Sequence, residues 1–292
     1  MLVPTVSPDA RAAVLAWYDA RGRTLPFRGH QDPYAILVSE VMAQQTQISR
    51  VAGQWATFMA AFRSLESLAE APTADVLRAW RGLGYNRRAL NLQRAARVIV
   101  SEHGGRVPSN LDELLRLPGV GPYTARAVAA LAFGQAVGPV DTNVRRVLAR
   151  LMGADHTTSA RDLQSIADRS VPPARPADWT HALMDLGATV CRANAPRCAE
   201  CPAASWCRSA KRVQRRRARA VAAGGTFAST SRWLRGRILD QLRDVPDDEW
   251  GAVAAPIGEH EDGAVSTALS AMESEGLIER DRSDPERVRL AR

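Results

Sequence analysis

The sequence predicts an all-α fold for most of the chain, on three observations. Apolar residues recur at three- and four-residue intervals through most of the first 210 of the 292 residues, which is the spacing of a helix face. Joints rich in Gly and Pro separate these segments at residues 82–84, 117–121 and 171–173. Alternation of apolar and polar residues, which is typical of strands, is scarce over the same region.

The helices follow from their apolar faces in chain order. Asp32-Pro33 begins the first clear one, in which Pro suits the opening turn. Thr73 is predicted to cap a helix that carries Val76 and Trp80, since a Thr side chain accepts hydrogen bonds from the first turn. Further helical segments are predicted at residues 87–100, 112–117, 124–133, 142–152 and 179–190.

The C-terminal part has a different pattern. Residues 208–219 hold 7 basic residues in 12, and the Ala-Ala-Gly-Gly-Thr run at 222–226 is typical of a linker. Two helical patterns and two short strand-like pieces, at 276–280 and 287–290, follow. A small winged-helix-like module fits this order, and so does a helical tail packed on the main part of the chain.

Composition excludes a membrane protein. The hydrophobic share of 46% and the charged share of 24% are ordinary for a soluble globular protein. The longest uncharged run, residues 127–140, has 14 residues and is too short to span a bilayer. No basic region precedes an apolar core at the N-terminus, so we expect a cytoplasmic protein that does not bind membranes.

Charge is unevenly distributed. Residues 231–292 hold 9 Arg and 14 acidic residues, a balance of −5, whereas the rest of the chain holds 30 basic and 17 acidic residues, a balance of +13. An excess of that size favours a partner with many negative charges, such as nucleic acid.

All four cysteines fall within 17 residues, at Cys191, Cys198, Cys201 and Cys207. A disulfide framework would spread its cysteines to join distant segments, and a chain of this length buries a core without such links. Crowded thiols usually hold a metal. Their unequal spacing favours an iron–sulfur cluster, with structural zinc and no metal as the alternatives.

The segment Leu-Pro-Gly-Val-Gly-Pro-Tyr-Thr at 117–124 lies between two predicted helices. Gly119 and Gly121 allow a tight turn with positive φ and leave backbone N–H groups open. Such groups, followed by a helix N-terminus, bind DNA phosphates without reading sequence. An ordinary hairpin turn is the alternative.

Two carboxylates stand out. Asp141 precedes a predicted helix, where it either caps the helix or supplies a negative charge to stabilise a cationic sugar. Glu40 has apolar neighbours that would raise its pKa, although a lone Glu in a helix is usually solvated. The polar run at 44–47, Gln-Gln-Thr-Gln, is suited to contacting base edges or filling a vacated base stack.

Taken together, these motifs resemble those of the MutY-type adenine DNA glycosylases of the helix–hairpin–helix superfamily, which includes endonuclease III. The resemblance covers residues 8–210. It rests on the segments 25–28 (Leu-Pro-Phe-Arg), 39–47, 82–85 (Gly-Leu-Gly-Tyr), 117–124, 140–143 (Val-Asp-Thr-Asn) and 184–187 (Met-Asp-Leu-Gly), and on the four cysteines.

The resemblance implies two helical domains with a DNA-binding cleft between them, and a [4Fe–4S] cluster held by the four cysteines. Residues 1–28 and 138–210 would form the cluster domain. Residues 29–137 would form a six-helix domain with the hairpin, 211–229 a basic linker, and 230–292 a winged-helix-like module. No Nudix-like domain is expected, because the 82 residues from 211 onward are too few.

The resemblance also implies roles for individual residues. Glu40 would protonate the departing adenine and then assist the incoming water, while Asp141 would stabilise the sugar cation. The adenine pocket or its support would include Arg23, Tyr123, Asn143 and Asp185. DNA would be contacted by Gln44, Gln45, Tyr85, Gly119, Gly121, Arg192 and Arg197.

The expected substrate is duplex DNA with adenine opposite 8-oxoguanine or guanine, bound by a monomer. The base opposite the adenine would be read around Gln44 and Tyr85. Lys211 is the one lysine in the chain, and Tyr123 stands where lyase-type relatives carry their amine, so little strand cleavage is expected. The alternatives are a glycosylase of other base specificity and a non-catalytic iron–sulfur DNA-binding regulator.

Overall fold

A computed structural model describes residues 5–154, 158–210 and 226–292 of the protein. Lys211, the basic run after it and the predicted linker at 222–225 lie outside the described residues. The all-α prediction is confirmed for the first 210 residues as far as they are described. The helices are α1 (Pro8–Arg21), α2 (Pro33–Ala43), α3 (Ile48–Ala61), α4 (Leu65–Glu70), α5 (Thr73–Ala79), α6 (Arg87–Glu102), α7 (Leu111–Arg116), α8 (Pro122–Phe133), α9 (Thr142–Met152), α10 (Ala160–Ser170), α11 (Pro176–Asp185), α12 (Ser231–Leu242) and α13 (Asp262–Glu275).

The chain folds into two compact units. Unit 1 contains the described residues of Met1–Glu40, Pro108–Arg116 and Val120–Ala220. Unit 2 contains the described residues of Val41–Val107, Leu117–Gly119 and Val221–Arg292.

The core of unit 1 is formed by apolar faces of α1, α9, α10 and α11. Val14, Leu148 and Ala182 are fully buried there, and Trp179 nearly so. Ser7 begins α1 by accepting a hydrogen bond from the backbone N–H of Ala10 at 3.3 Å. Such caps typically contribute about 1 kcal/mol, so packing of the apolar faces dominates the stability of this unit.

The core of unit 2 centres on aromatic side chains from α3 and the end of α5. The rings of Phe58 and Trp80 meet edge to face with centroids 5.6 Å apart, and both side chains are fully buried. Leu68, Leu92 and Ile99 complete this core. Truncation of such a ring typically costs about 3–5 kcal/mol.

The C-terminal residues join unit 2. Besides α12 and α13 they contain β1 (Gly251–Ala252), β2 (Ile278–Arg280) and β3 (Arg287–Leu290), paired antiparallel in the order β1-β3-β2. The two predicted strands are therefore present, and the winged-helix-like class stays a prediction. This segment also packs on α5, where Arg78 binds Asp247 at 2.7 Å and Arg243 donates to the carbonyl of Leu77 at 2.9 Å.

The predicted capping role of Thr73 is wrong. Pro72 precedes the helix and Thr73 is its first residue. The Thr73 hydroxyl instead donates to the amide oxygen of Gln93 at 3.2 Å, inside the core of unit 2. A Pro fixed in extended conformation leaves the cap position without a side-chain acceptor, so burial decides where the hydroxyl bonds.

The hairpin between α7 and α8 differs from expectation in one glycine. Gly119 has a φ of 77°, and a Cβ there would lie 2.7 Å from the Cβ of Asn91. Both the backbone conformation and the lack of space therefore require a glycine. Gly121 has an extended φ of −93° and forms the N-cap of α8. Its small size leaves the first N–H groups of α8 open, but it is not needed for a left-handed turn.

In the described ranges, no helix combines the length and the apolar character that crossing a membrane requires.

Candidate active site

Glu40 lies near the end of α2 and is only 8% exposed. The preceding residues Leu37 and Val38 are fully buried, so the helix carries the carboxyl into the protein. Its Oε2 atom is buried and has no hydrogen-bond partner among the residues that the structure describes. Burial raises the pKa of Glu40 to about 7, and the nearby negative charge of Asp141 adds to the rise, whereas a hydrogen bond from Tyr123 and the charge of Arg28 oppose it. A carboxyl with this pKa holds a proton to donate at neutral pH.

Tyr123 fixes the orientation of this carboxyl. It is the second residue of α8, and its hydroxyl donates a hydrogen bond to Glu40. Burial and the negative charges of Glu40 and Asp141 raise the pKa of Tyr123 well above its usual value. The phenol therefore stays neutral and acts as a donor, not as a base.

Asp141 has the capping role that the sequence left open, and its role toward a cationic sugar stays a prediction. It is the N-cap of α9, where its Oδ1 accepts from the backbone N–H of Val144 at 2.6 Å. Its Oδ2 accepts from the side-chain amide of Asn143 at 3.0 Å. Both carboxylate oxygens of Asp141 are thus held by donors at the N-terminus of α9.

Asp185 at the end of α11 is fully buried between two arginines. Arg28 binds both of its oxygens at 2.7 and 2.8 Å, and Arg23 binds them through its Nε at 2.7 Å and its backbone N–H at 2.8 Å. Burial alone would raise the pKa of Asp185, but these donors outweigh it and hold that pKa below its usual value. The predicted pair of Arg23 and Asp185 is thus brought together.

Two residues of this region were not singled out from the sequence. Arg28 affects the pKa values of Glu40, Tyr123 and His181, which places its charge among all of them. His181 lies one turn before Asp185, and burial followed by the charge of Arg28 lowers its pKa to about 3, so its ring is neutral. The only available signals were the position of Arg28 in the 25–28 motif and the four-residue spacing of His181 from Asp185.

Arg146 links Asn143 to the cysteine-rich segment. Its Nη2 donates to the Asn143 Oδ1 at 2.7 Å and to the carbonyl of Gly187 at 2.6 Å, and its Nε donates to the carbonyl of Cys191 at 2.7 Å. Asn143 in turn binds Asp141. A continuous hydrogen-bond path therefore runs from the carboxylate of Asp141 to the backbone of the first cysteine.

The four cysteines line one small cavity of about 30 Å³. Burial raises the pKa of Cys201 to about 11, with contributions from all three other thiols, so the four sulfurs are mutual neighbours. Over residues 5–154, 158–210 and 226–292, no group of three or more His, Cys, Asp or Glu side chains is placed to hold a single metal ion.

The remaining unit 1 candidates lie at the surface of the cysteine segment. Arg192 and Arg197 are exposed, and Arg197 pairs with Glu200 at 3.5 Å. Exposed pairs of this kind contribute little stability, and the contact of both arginines with phosphate stays a prediction.

The other predicted DNA-contacting residues belong to unit 2. Tyr85 is 38% exposed, Gln45 is exposed, and the Gln44 amide donates to the carbonyl of Gly119 at 3.3 Å. Arg88, which was not singled out from the sequence, is buried and binds the two loops at residues 44–46 and 83–84. Its guanidinium donates at 2.6–3.1 Å to the carbonyls of Val41, Met42, Gln44, Leu83 and Gly84 and to the Thr46 hydroxyl.

Similarity to known proteins agrees with this geometry. A profile described as HhH-GPD superfamily base excision DNA repair protein matches residues 38–173. The adenine DNA glycosylase of Mycolicibacterium smegmatis is 41% identical over 279 residues, which cover 91% of each chain. The chain belongs to the adenine DNA glycosylase family.

Solved structures of related glycosylases share its fold. A thermostable thymine-DNA glycosylase has a TM-score of 0.66 and 31% identity over 70% of this chain and 95% of its own. Endonuclease III, trapped in a covalent intermediate with DNA, has a TM-score of 0.61 and 26% identity over 69% of this chain and 94% of its own. The matched family segment begins just before Glu40 and includes Tyr123 and Asp141, so all three groups of the site fall within it.

Proposed function

We propose that the protein removes adenine from duplex DNA by hydrolysing its N-glycosidic bond. The observation that carries the proposal is the buried Glu40 carboxyl, whose pKa of about 7 leaves it a proton to donate beside the second carboxylate of Asp141. One protonated and one ionised carboxyl are what cleavage of a glycosidic bond requires. Binding alone needs neither, which disfavours a non-catalytic regulator.

The reaction follows from these two groups once the adenine has turned out of the helix. Glu40 transfers its proton to a ring nitrogen of adenine, N7 by resemblance to the family. The bond between the sugar C1′ and N9 then breaks with both electrons going to the base. Asp141 stabilises the resulting sugar cation by its negative charge. A water adds to C1′ and returns a proton to Glu40.

The proposal includes no efficient strand cleavage. A lyase needs an amine that forms a Schiff base with the sugar. Tyr123 occupies the position of that amine in the related lyases, and its neutral phenol cannot form a Schiff base. The one lysine of the sequence is Lys211, outside the described residues.

The substrate is proposed to be adenine opposite 8-oxoguanine or guanine, bound by a monomeric protein that is cytoplasmic and associated with the nucleoid. The domains predicted from the sequence stay a proposal, with bounds that differ from those of the two compact units: 1–28 with 138–210 around the cluster, 29–137 with the hairpin, 211–229 as linker, and 230–292 as a winged-helix-like module.

The four cysteines are proposed to hold a [4Fe–4S] cluster. Their thiols line one cavity, and four sulfur donors with no other ligand type suit iron–sulfur chemistry. A cluster places iron and sulfide atoms between its thiolates, so it needs wider spacing than a single ion does. Such a cluster would fix the loop that carries Arg192 and Arg197. It takes no part in the steps of base release.

The test is excision by Glu40→Gln, which keeps the shape of the side chain and removes the proton donor. Duplexes with adenine opposite 8-oxoguanine or guanine, and with thymine opposite guanine, are incubated with wild type, Glu40→Gln and the exposed control Glu70→Gln. We expect wild type and the control to release adenine but not thymine. We expect Glu40→Gln to bind the DNA without releasing adenine from it. Release by Glu40→Gln within a few-fold of wild type would show that another group is the acid.

Two further readings separate the alternatives. If the protein released thymine in preference to adenine, it would be a glycosylase of other base specificity. Borohydride, which traps Schiff bases, should capture little protein on DNA. Strong trapping that is lost in Lys211→Ala would identify a lyase.

A further inference from the structure

The three arginines of α9 face different parts of the molecule. Arg146 donates to the carbonyl of Cys191 at 2.7 Å. Arg150 donates to the carbonyl of Arg192, also at 2.7 Å. Arg145 is exposed instead, and its side chain forms no hydrogen bond or ion pair with any residue that the structure describes. Two guanidinium groups of this helix therefore hold the cysteine-rich segment, whereas the third faces solvent.

Arg145 lies one helical turn after Asp141, the carboxylate proposed to stabilise the sugar cation. Asp141 is the N-cap of α9, and its carbonyl accepts a hydrogen bond from the backbone N–H of Arg145 at 2.9 Å. Four residues advance an α-helix by about 6 Å, and helical side chains lean toward the N-terminus of their helix. The Arg145 side chain therefore starts about one turn from the Asp141 carboxylate and leans toward the same end of the helix.

The exposed face of α9 offers an anion no competing acid. Thr142 and Arg145 are the two exposed residues of the helix, which contains no Asp or Glu. The apolar residues Val144, Leu148 and Leu151 are buried in the core of unit 1 and leave this face to the polar side chains. An arginine in such surroundings is either simply solvated or available to an anionic ligand.

A nucleotide bound for base release brings negative charges to this place. The proposed mechanism puts the sugar C1′ beside the Asp141 carboxylate, and a nucleotide within a strand has a phosphate on either side of its sugar. Carboxylate and phosphate repel each other, and a guanidinium close to both offsets the repulsion. Without a phosphate, the positive charge of Arg145 would oppose formation of the sugar cation. With a phosphate bound, the two charges offset each other and Asp141 stabilises the cation unopposed.

We propose that Arg145 binds one of the two backbone phosphates that flank the nucleotide from which adenine is released. The inference rests on the proposed function, which places the sugar of that nucleotide beside Asp141. It adds a contact on α9 to the DNA contacts predicted at the hairpin, at the cysteine-rich segment and around Gln44 and Tyr85. A guanidinium suits this ligand because its flat array of donors binds two phosphate oxygens at once.

The test measures binding without base release. Duplexes carry a tetrahydrofuran abasic-site analogue opposite guanine, and in some of them one phosphate is replaced by an uncharged methylphosphonate. The replacement lies on the 5′ side of the analogue, on its 3′ side or one helical turn away. For wild type we expect replacement on one of the two flanking sides to raise the Kd about fivefold, the effect that one phosphate contact predicts at about 0.15 M salt. In Arg145→Ala the same replacement should raise the Kd less than about twofold, because the contact is already lost. For the unmodified duplex, the slope of log Kd against log salt concentration should be smaller by about one in Arg145→Ala.

Arg161→Ala is the matched control, because it removes an exposed arginine of the same unit at the start of α10. It should respond to every methylphosphonate as wild type does. Equal responses of wild type and Arg145→Ala at both flanking positions would show that Arg145 binds neither phosphate and would overturn the proposal. A response that Arg145→Ala loses only at the distant position would overturn it too. Failure of the wild type to release adenine would instead contradict the proposed function, because this binding experiment does not depend on base release.

Discussion

Removal of the Tyr123 hydroxyl tests the acid role of Glu40 most directly. In Tyr123→Phe the half-buried ring remains, but the hydrogen bond to the Glu40 carboxyl is lost. That bond opposes the effect of burial on Glu40, so without it the ionised form becomes less favourable and the pKa of Glu40 rises above its present value of about 7. Hydrogen bonds to charged groups contribute about 1.5–3 kcal/mol, which corresponds to a rise of about 1 to 2 pH units.

The rate of adenine release is expected to report this change. A general acid is active in its protonated form, so the rate should be constant below the pKa of Glu40 and fall about tenfold per pH unit above it. Single-turnover rates are measured with enzyme in excess over DNA but at a concentration well below Kd. Under these conditions the pH dependence of the rate reports the pKa of Glu40 in the protein that has not yet bound DNA. For wild type the fall should begin near pH 7, and for Tyr123→Phe it should begin about 1 to 2 pH units higher.

The position of the fall, not the height of the curve, decides the outcome, because Tyr123→Phe is free to lower the rate for other reasons. Asp141→Asn provides the opposite control: the negative charge that raises the pKa of Glu40 disappears, so the fall in its residual rate should begin at lower pH. A Tyr123→Phe profile that is unmoved, or moved to lower pH, would refute the assignment of Glu40 as an acid restrained by this hydrogen bond.

Three further predictions concern the rest of the molecule. Protein purified without oxygen should contain about four irons per chain, and Cys198→Ala should contain little, whereas stoichiometric zinc without iron would contradict the cluster. Asp185→Asn should lower the free energy of unfolding by about 3–5 kcal/mol, because it leaves two guanidinium groups beside a neutral amide. The control Asp19→Asn breaks the exposed pair with Arg175 and should lower it by less than about 1 kcal/mol in the same denaturation experiment. Deletion of residues 222–292 should leave adenine release measurable, because Glu40, Tyr123 and Asp141 lie outside the deleted segment. Hydrogen exchange of the α5 backbone should become faster, because the contacts of Arg243 and Asp247 with α5 are lost. A complete loss of adenine release would contradict the first expectation.

The helices, the apolar surroundings of Glu40 and the capping position of Asp141 were predictable because they depend on local sequence. Apolar spacing alone locates a helix face, and Asp141 precedes a helix whose first turn needs an acceptor. The cap at Thr73 was not predictable, because the competing acceptor, Gln93, lies 20 residues away and only burial brings it close. Signals of this kind arise from packing and leave no trace in local spacing.

The arginine contacts show the same limit more strongly. Arg88 binds five backbone carbonyls, which every residue type possesses, so no pattern of side chains marks it in advance. Arg232 and Tyr85 are separated by 147 residues, and their contact arises from the fold, so local sequence gives no sign of it.

The two carboxyl groups of the site are chemically alike, and their surroundings alone give them different tasks. Glu40 comes from a helix whose neighbouring side chains are apolar, and one of its oxygens has no donor, so the protein stabilises its neutral form. Asp141 lies at a helix N-terminus, where a backbone N–H and an amide donate to its two oxygens. Because the negative charge of Asp141 contributes to the raised pKa of Glu40, the carboxylate proposed to stabilise the sugar cation also helps to keep the proposed acid protonated. The proposed acid role of Glu40 therefore depends on Asp141, and we expect the loss of either carboxyl to impair base release rather than binding.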